Sequence, residues 1–310
     1  MPAADETDIM TRIEGWLGLT RPPFHTLGIL PFCLGTFLAW HLDEVFHIPA
    51  FVLGFMGIVM VMLSTYHAGE YFTHAKAERS KHLFGSLFSQ GSGTFPDLIF
   101  RRSGPLRNGF AAIMLALLIG VILQFGLKTG PLTLLLGCLG ALPGFFYAIH
   151  PISRADQGYG EMLIAFFYGW LPIAAAFYIQ QGYIAPCIHW MALPIGLSIF
   201  NVVLLNEFSE HNSNPAAGRM NLLRRLGRAK GTALYCLISI LSWFSMYSSL
   251  NTGIPRKALY IYIPVMAISA GISLMMAGKK YENPLVLEIL CGFNIAVHLG
   301  TMAAYFLAFL

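Results

Sequence analysis

Charged residues are scarce in this chain. Asp, Glu, Lys and Arg make up only 11% of its 310 residues, whereas a soluble domain carries about 25%. A soluble fold of this size needs more charge than that to cover its surface. Intrinsic disorder is excluded as well, because it requires low hydrophobicity and 56% of these residues are hydrophobic. The net charge is only +4, so we expect no nucleic-acid partner.

Cysteine is also sparse. The five cysteines occur singly within apolar stretches, and no CxxC pair is present. Isolated cysteines of this kind indicate small buried side chains rather than a disulfide framework or a zinc site.

Long apolar runs are what the sequence does contain, and its mean hydropathy is +0.64. A helix needs about 20 apolar residues to cross the roughly 30 Å hydrocarbon core of a membrane. The alternating pattern of a membrane β-barrel is absent. Nine runs are long enough, near residues 25–42, 48–67, 109–128, 131–150, 160–180, 186–206, 231–249, 257–277 and 284–309. The sequence therefore predicts an all-α integral membrane protein, with an N-terminal segment at 1–24 and one transmembrane domain at 25–310.

Lys and Arg are distributed unequally between the two ends of these runs. Sixteen of the nineteen fall in the N-terminal segment and in the connections on the same side, and three fall on the other side. Because cytoplasmic loops are enriched in Lys and Arg, the N-terminus and the long loops near 68–108 and 207–230 are predicted to be cytoplasmic. Nine spans then place the C-terminus on the opposite side of the membrane, which is the inner or plasma membrane if the chain is bacterial.

The two long loops share a pattern in which acids come first and bases follow. Glu70 precedes Arg79 in the first loop, and Glu207 and Glu210 precede Arg219 in the second. Acids directly after an apolar helix are costly unless they are paired or bind a ligand. Carboxylates bind hard cations such as Mg²⁺, which bridge to the same phosphate oxygens that Arg and Lys contact. Between apolar spans, this pattern favours a lipid-linked diphosphate.

Both loops also carry a family resemblance. The second reads Asn206-Glu207, then Glu210, then Gly218-Arg219, and resembles the second aspartate-rich region of the UbiA superfamily of intramembrane prenyltransferases. It is most similar to the branch related to the dihydroxynaphthoate prenyltransferases of menaquinone synthesis. The first loop resembles that branch over 69–72 and 88–93, and the similarity covers roughly residues 18–305 in the family's order.

The resemblance implies a nine-helix bundle around a lipid-accessible central cavity. It also implies Mg²⁺-dependent transfer of a polyprenyl group from its diphosphate to an aromatic, quinone-precursor-like or other lipid acceptor. The catalytic residues it implies are Glu70, Glu207 and Glu210. The metal ligands it implies are these three together with Glu78, Asn206 and Asn214. The substrate-binding residues it implies are Tyr71, Arg79, Lys81, Ser89, Gly91, Ser92, Gly93, Tyr147, Arg219 and Arg225, and Tyr168 is a further aromatic candidate.

Both motifs depart from the family pattern. Gly69 and Thr73 stand where Asn and Asp are usual, and Glu210 and Asn214 replace two Asp. Losing carboxylates should weaken a cation site, because affinity depends on ligand charge. The sequence therefore leaves a second interpretation open, a non-catalytic lipid-binding, transport or assembly protein on the same scaffold.

A third interpretation is a changed metal. Glu70 with His74, and Glu207 with His211, are spaced four residues apart, so each pair lies on one helical face. Glu and His together suit Zn, Mn or Fe better than Mg²⁺. One further acid, Glu161, is predicted either to pair with Arg154 or to face the cavity.

Overall fold

Helices form the whole of the described fold. The computed structural model describes residues 22–77, 104–147, 159–213 and 221–310, and these ranges contain no β-strand. The helices are α1 (Pro22–Asp43), α2 (Ile48–Ala77), α3 (Gly104–Gly126), α4 (Thr133–Tyr147), α5 (Gly160–Gln181), α6 (Pro186–Ser213), α7 (Leu222–Leu226), α8 (Arg228–Ser249), α9 (Lys257–Ala277) and α10 (Pro284–Ala308).

Nine of the ten helices are apolar and lie at the positions predicted for membrane spans. Within the described ranges, eight are long and apolar enough to cross a membrane, and α4 contributes a shorter apolar segment, Thr133–Leu142. Large apolar side chains such as Phe125, Phe244 and Leu274 are exposed on the outer surface. An apolar exterior of this kind suits contact with lipid. The prediction of an all-α integral membrane protein is confirmed, and eight of the nine predicted spans are clear within the described residues.

Helix α6 occupies the centre of the bundle. In its best apolar stretch 72% of the residues are buried, against 22–50% in the other seven long helices. It packs against α5, α8 and α10. The contact with α5 is close because two glycines meet there: a Cβ on Gly169 would lie 2.6 Å from the Cα of Gly196. Small residues at such a contact let membrane helices approach backbone to backbone.

Two of the long helices contain a π-helical turn. In α3 it spans Ile122–Gly126, and in α5 it spans Phe166–Trp170. A π turn holds an extra residue, so it rotates the side chains that follow it, and such turns are frequent at functional sites. The turn in α5 contains Gly169, which packs against Gly196 of α6.

The short helix α7 leads directly into α8. Asn221 precedes α7, and its side-chain oxygen accepts a hydrogen bond from the Arg224 N–H at 3.0 Å, as an N-cap residue does. Gly227 separates the two helices at φ 76°, a left-handed value that glycine adopts readily. Leu223 is fully buried against the core around Phe208. These contacts fix the segment that follows the second motif against the end of α6.

Candidate active site

A cavity of about 380 Å³ lies inside the bundle, lined by residues of α1 to α6 and by Asn221. Most of its wall is apolar and built from small residues, among them Gly57, Gly137 and Ala175. Small side chains leave room between helices that would otherwise pack tightly. The cavity therefore results from the glycine and alanine residues that several helices place along its wall.

One stripe of α6 leads along the cavity wall. Ile199, Val202, Val203 and Asn206 line it at spacings of three and four residues, which places them on one face of the helix. The stripe is apolar until it reaches Asn206, and Glu207 follows. The second motif thus lies where the apolar wall ends.

Two buried carboxylates close this end of the cavity. Glu207 of α6 and Glu161 of α5 are 6% and 3% exposed. A Glu207 oxygen accepts a hydrogen bond from the Leu223 N–H at 2.9 Å, and the Glu161 Oε1 accepts one from the Leu222 N–H at 3.2 Å. The two donors are consecutive in the chain, so the two carboxylates lie side by side. They also satisfy N–H groups in the first turn of α7, which favours negative charge.

The second oxygen of Glu161 is the distinctive group of this end. Within the described part of the chain, Glu161 Oε2 is buried and has no hydrogen-bond partner. A buried carboxylate oxygen without a partner is costly, and this one belongs to a residue that lines the cavity. Of the two alternatives that the sequence left open, the structure places Glu161 at the cavity. Arg154 lies outside the described residues.

The first motif reaches the same cavity. Thr65, Tyr66 and Gly69 of α2 all line it, and Glu70 is the next residue along that helix. Asn206 is more than 130 residues further along the chain. The fold therefore brings the ends of α2 and α6, which carry the two motifs, to one cavity.

Aromatic side chains reach the cavity from α5. The π turn presents Phe167 and Tyr168 to it, so one of the aromatic candidates lines the cavity wall. Tyr71 is half-buried and is not among the lining residues. Its helical position one residue after Glu70 turns it to another face of α2.

Several predicted site residues fall outside the described part of the chain. At Glu70, Tyr147 and Glu210 the description covers the backbone alone, which is helical at all three. Arg225 is exposed on α7 and does not line the cavity. The residues outside the described ranges are Glu78, Arg79, Lys81, Ser89, Gly91, Ser92, Gly93, Asn214 and Arg219.

The oxygen groups at this end suit a hard cation. Glu161, Asn206, Glu207 and Asn221 supply carboxylate and amide oxygens, the donor type that Mg²⁺ takes, and Glu161 Oε2 is an oxygen in need of a partner. Among the described residues, no group of three or more His, Cys, Asp or Glu is arranged to hold a metal. His67 donates from its ring Nδ1 to the Leu63 carbonyl oxygen at 2.8 Å and does not line the cavity.

Asn221 is the residue that the sequence analysis did not single out. It caps α7 and also lines the cavity, so it ties the helix start to the carboxylates. Asn221 could have been recognised from the sequence as a helix N-cap, because Asn directly before a short apolar and basic run is typical of a helix N-terminus. Glu161 carried a similar signal as an acid in the first turn of a long apolar helix.

A lipid-sized apolar cavity with carboxylates at one end defines a class of protein, an integral membrane protein that takes an amphiphile with a polar or cation-binding head. The model of the UbiA prenyltransferase family matches residues 99–285. The chain belongs to this family, and it is an intramembrane prenyltransferase.

Relatives agree with this assignment, and solved structures share the fold. The chain is 23% identical to 1,4-dihydroxy-2-naphthoate octaprenyltransferase of Escherichia coli (strain K12) over 247 residues, which are 77% of this chain and 79% of the relative. It also has the fold of a digeranylgeranylglyceryl phosphate synthase, at a TM-score of 0.69 and 14% identity, covering 96% of this chain and 99% of the other. A UbiA homolog from Archaeoglobus fulgidus bound to GPP and Mg²⁺ has the same fold at a TM-score of 0.62 and 14% identity, and the match covers 95% of this chain and 99% of the homolog.

Proposed function

We propose that this protein transfers a prenyl group from its diphosphate to an aromatic, quinone-precursor-like acceptor within the membrane, with a divalent cation bound at the carboxylate end of the cavity. The naphthoate prenyltransferase relative supports an aromatic acceptor, and the Archaeoglobus homolog bound to GPP and Mg²⁺ supports a prenyl diphosphate donor and a cation.

The observation that carries this proposal is the cavity itself. Its apolar wall accommodates a hydrocarbon chain, and its only strongly polar end, within the described residues, bears Glu161, Glu207 and Asn206. A prenyl diphosphate has the same division into an apolar chain and a polar head. The match supports a donor orientation with its diphosphate at the carboxylates and its chain along α2, α4 and α5.

The carboxylates would act through a cation, because two anions repel each other directly. Glu207 and Asn206, together with Glu70 and Glu210 of the two motifs, are proposed as ligands, and Glu161 Oε2 as a further oxygen. Mg²⁺, when bound, would neutralise charge on the departing diphosphate. Arg79, Lys81 and Arg219 are proposed to contact the phosphate oxygens, as Lys and Arg do in phosphate sites.

The remaining cavity residues would orient the chain and protect the reacting carbon. Tyr168 and Phe167 line the cavity, and an aromatic ring face stabilises positive charge that develops on an allylic carbon. The apolar wall excludes water, which would otherwise compete with the acceptor for that carbon. Exclusion of water is the reason that such a reaction benefits from a site inside the membrane.

The uneven distribution of Lys and Arg supports a sidedness for this site. We infer that the N-terminus and both long loops are cytoplasmic, so that the carboxylate end of the cavity faces the cytoplasm and the C-terminus lies on the other side. A diphosphate made by soluble enzymes then reaches the cavity without crossing the membrane.

Turnover by the purified protein tests the proposal. The protein in lipid nanodiscs is given Mg²⁺, geranylgeranyl diphosphate and 1,4-dihydroxy-2-naphthoate, and pyrophosphate release and the prenylated product are measured. We expect both to appear, to stop when the cation is chelated, and to return with added Mg²⁺. A co-purified lipid without turnover of any donor would instead support the non-catalytic scaffold, and stoichiometric Zn, Mn or Fe in the purified protein would support the changed metal.

A further inference from the structure

The cavity is deep compared with the membrane. Glu161 and Ile179 both line it and lie on α5 eighteen residues apart, a rise of about 27 Å. Gly69 and Gly54 both line it on α2, fifteen residues apart, a rise of about 22 Å. The hydrocarbon core of a bilayer is about 30 Å thick. The cavity therefore extends from the carboxylate end through most of the membrane.

Three residues meet in the deep part of the cavity, which Leu123, Thr133 and Leu134 also line. A Cβ on Gly54 would lie 2.5 Å from Ile179 Cδ1 and 2.7 Å from Phe32 Cζ, so both side-chain tips rest on the backbone of α2. Phe32 and Ile179 are buried, and together with Ala176 they form one hydrophobic cluster. We call Phe32, Gly54 and Ile179 the cavity floor. It is apolar and contributed by α1, α2 and α5.

Polar groups lie directly behind the floor. Gln180, the residue after Ile179, is buried, accepts a hydrogen bond from the His47 N–H at 2.7 Å and donates one to the His47 carbonyl oxygen at 3.3 Å. A second pocket of about 320 Å³ follows, lined by Ile179, Lys128 and Gln181 among others. Ile179 thus separates the two spaces. A hydrocarbon chain that passed it would break buried hydrogen bonds and enter polar surroundings, which is costly.

We propose that the cavity floor sets the longest prenyl chain that the cavity holds in extended form, an inference that rests on the proposed prenyl diphosphate donor. With the diphosphate at Glu161 and Glu207, the chain runs down α5 and its free end meets Phe32 and Ile179. The available depth is comparable to the extended chain of geranylgeranyl diphosphate. A longer chain has to bend or leave sideways between helices, so the floor selects for length.

Two variants change the floor in opposite directions. Ile179→Ala removes the side chain that separates the cavity from the second pocket, and Gly54→Ala inserts a methyl group between Phe32 and Ile179. Farnesyl, geranylgeranyl and geranylfarnesyl diphosphates are compared for kcat/KM, and for the rise in melting temperature that each donor gives. One methylene in an apolar pocket changes selectivity by about 10-fold or more. We expect the geranylfarnesyl to geranylgeranyl ratio to rise about 10-fold in Ile179→Ala, because one further isoprene unit can use the space that the Ile179 side chain leaves, and the farnesyl to geranylgeranyl ratio to rise about 10-fold in Gly54→Ala.

Ile173→Ala is the matched control, because Ile173 is a fully buried residue of the same helix that does not line the cavity. It should lower stability and leave the length ratios unchanged. If Gly54→Ala does not fold, Ile179→Phe narrows the same floor. An unchanged length profile in folded floor variants would overturn the inference and show that the chain leaves sideways. Length-selective binding without product would keep the floor and overturn the proposed reaction, and no binding of any donor would overturn both.

Discussion

Buried polar groups occur in two regions of this bundle, on opposite faces of α6. On one face, Asn206 and Glu207 border the cavity together with Glu161. On the other face, Ser198 and Asn201 point into the contact with α8 and α10. Both regions are buried at membrane depth or at its edge, yet one encloses space and the other is packed.

The packed region pairs its polar side chains across helices. Asn201 donates to the Ser239 hydroxyl oxygen at 2.9 Å, and the Tyr235 hydroxyl donates to Asn294 Oδ1 at 2.9 Å. Ser198 and His298 are joined at 2.8 Å between Oγ and Nδ1. None of these side chains is an acid, a lysine or an arginine, and each hydrogen bond satisfies a polar group that lipid could not. Their effect is to hold α6, α8 and α10 together.

The cavity region differs in charge and in partners. Its two carboxylates bind backbone N–H groups of α7, and Glu161 Oε2 has no hydrogen-bond partner within the described ranges. Within the described residues, single buried atoms without a hydrogen-bond partner occur in both regions, among them Asn201 Oδ1, Asn294 Nδ2 and His298 Nε2 in the packed one. The negative charge of the carboxylates is therefore what suits the cavity region to binding a cation. The difference teaches that burial of polar groups alone does not mark a site in a membrane bundle. A charged side chain next to a cavity does mark such a site.

The largest effect should come from removing charge at the cavity. Glu207→Gln and Glu161→Gln keep an oxygen that accepts from Leu223 or Leu222, so the fold should survive. A cation site loses affinity with each carboxylate that is removed. We therefore expect the rate of prenyl transfer, measured as pyrophosphate release at fixed Mg²⁺, to fall about 100-fold. Glu288→Gln, at an exposed residue of α10, is the control and should retain activity. Wild-type activity in Glu207→Gln would contradict the view that the carboxylates at the cavity serve function while the packed polar groups serve stability.

A second effect concerns glycines in the two settings. At Gly169 an added Cβ meets the backbone of Gly196 at 2.6 Å, whereas at Gly137 in the cavity wall it meets nothing within 4 Å. Gly169→Ala should therefore cost about 1–3 kcal/mol by overpacking, seen as a lower melting temperature in detergent. Gly137→Ala should leave the melting temperature unchanged. Equal destabilisation by both would mean that the cavity closes in the membrane.

The smallest effect should come from the packed region. Tyr235→Phe removes the donor to Asn294, and interhelical hydrogen bonds in membranes are worth about 0.6 kcal/mol on average. We expect a small fall in melting temperature with KM for the donor unchanged. The double variant Tyr235→Phe/Asn294→Leu tests the pairing, since it removes both partners and should not add the two single losses. A raised KM in Tyr235→Phe would instead connect this region to the cavity.

Much of the fold was predictable because its signals are local. A run of about 20 apolar residues forms a helix wherever it enters lipid, since its backbone has no other way to satisfy its hydrogen bonds. The shorter α4 gives a weaker local signal, because its described apolar segment Thr133–Leu142 is brief, and it packs against α2, α3 and α5. The sequence also indicated Asn206 and Glu207 as candidate site residues, since an acid directly after an apolar helix is energetically costly unless it is paired or binds a ligand.

Other features depended on contacts between distant parts of the chain. Nothing near Glu161 in the sequence specifies that it lies beside Glu207, because this proximity comes from the packing of α5 on α6 and from two adjacent N–H groups of α7. The pairing of Ser198 with His298, 100 residues apart, gave no local signal either.

By itself, the sequence determined that this protein is a membrane-embedded bundle of helices, and it predicted that the two motifs form the site. Hydropathy and motif spacing are properties of short segments, so they can be seen without the fold. Only the tertiary structure decided where the cavity runs, that Glu161 borders it, and that Phe32, Gly54 and Ile179 meet in its deep part. A cavity is the space that several helices leave between them, and that space depends on all of their positions at once.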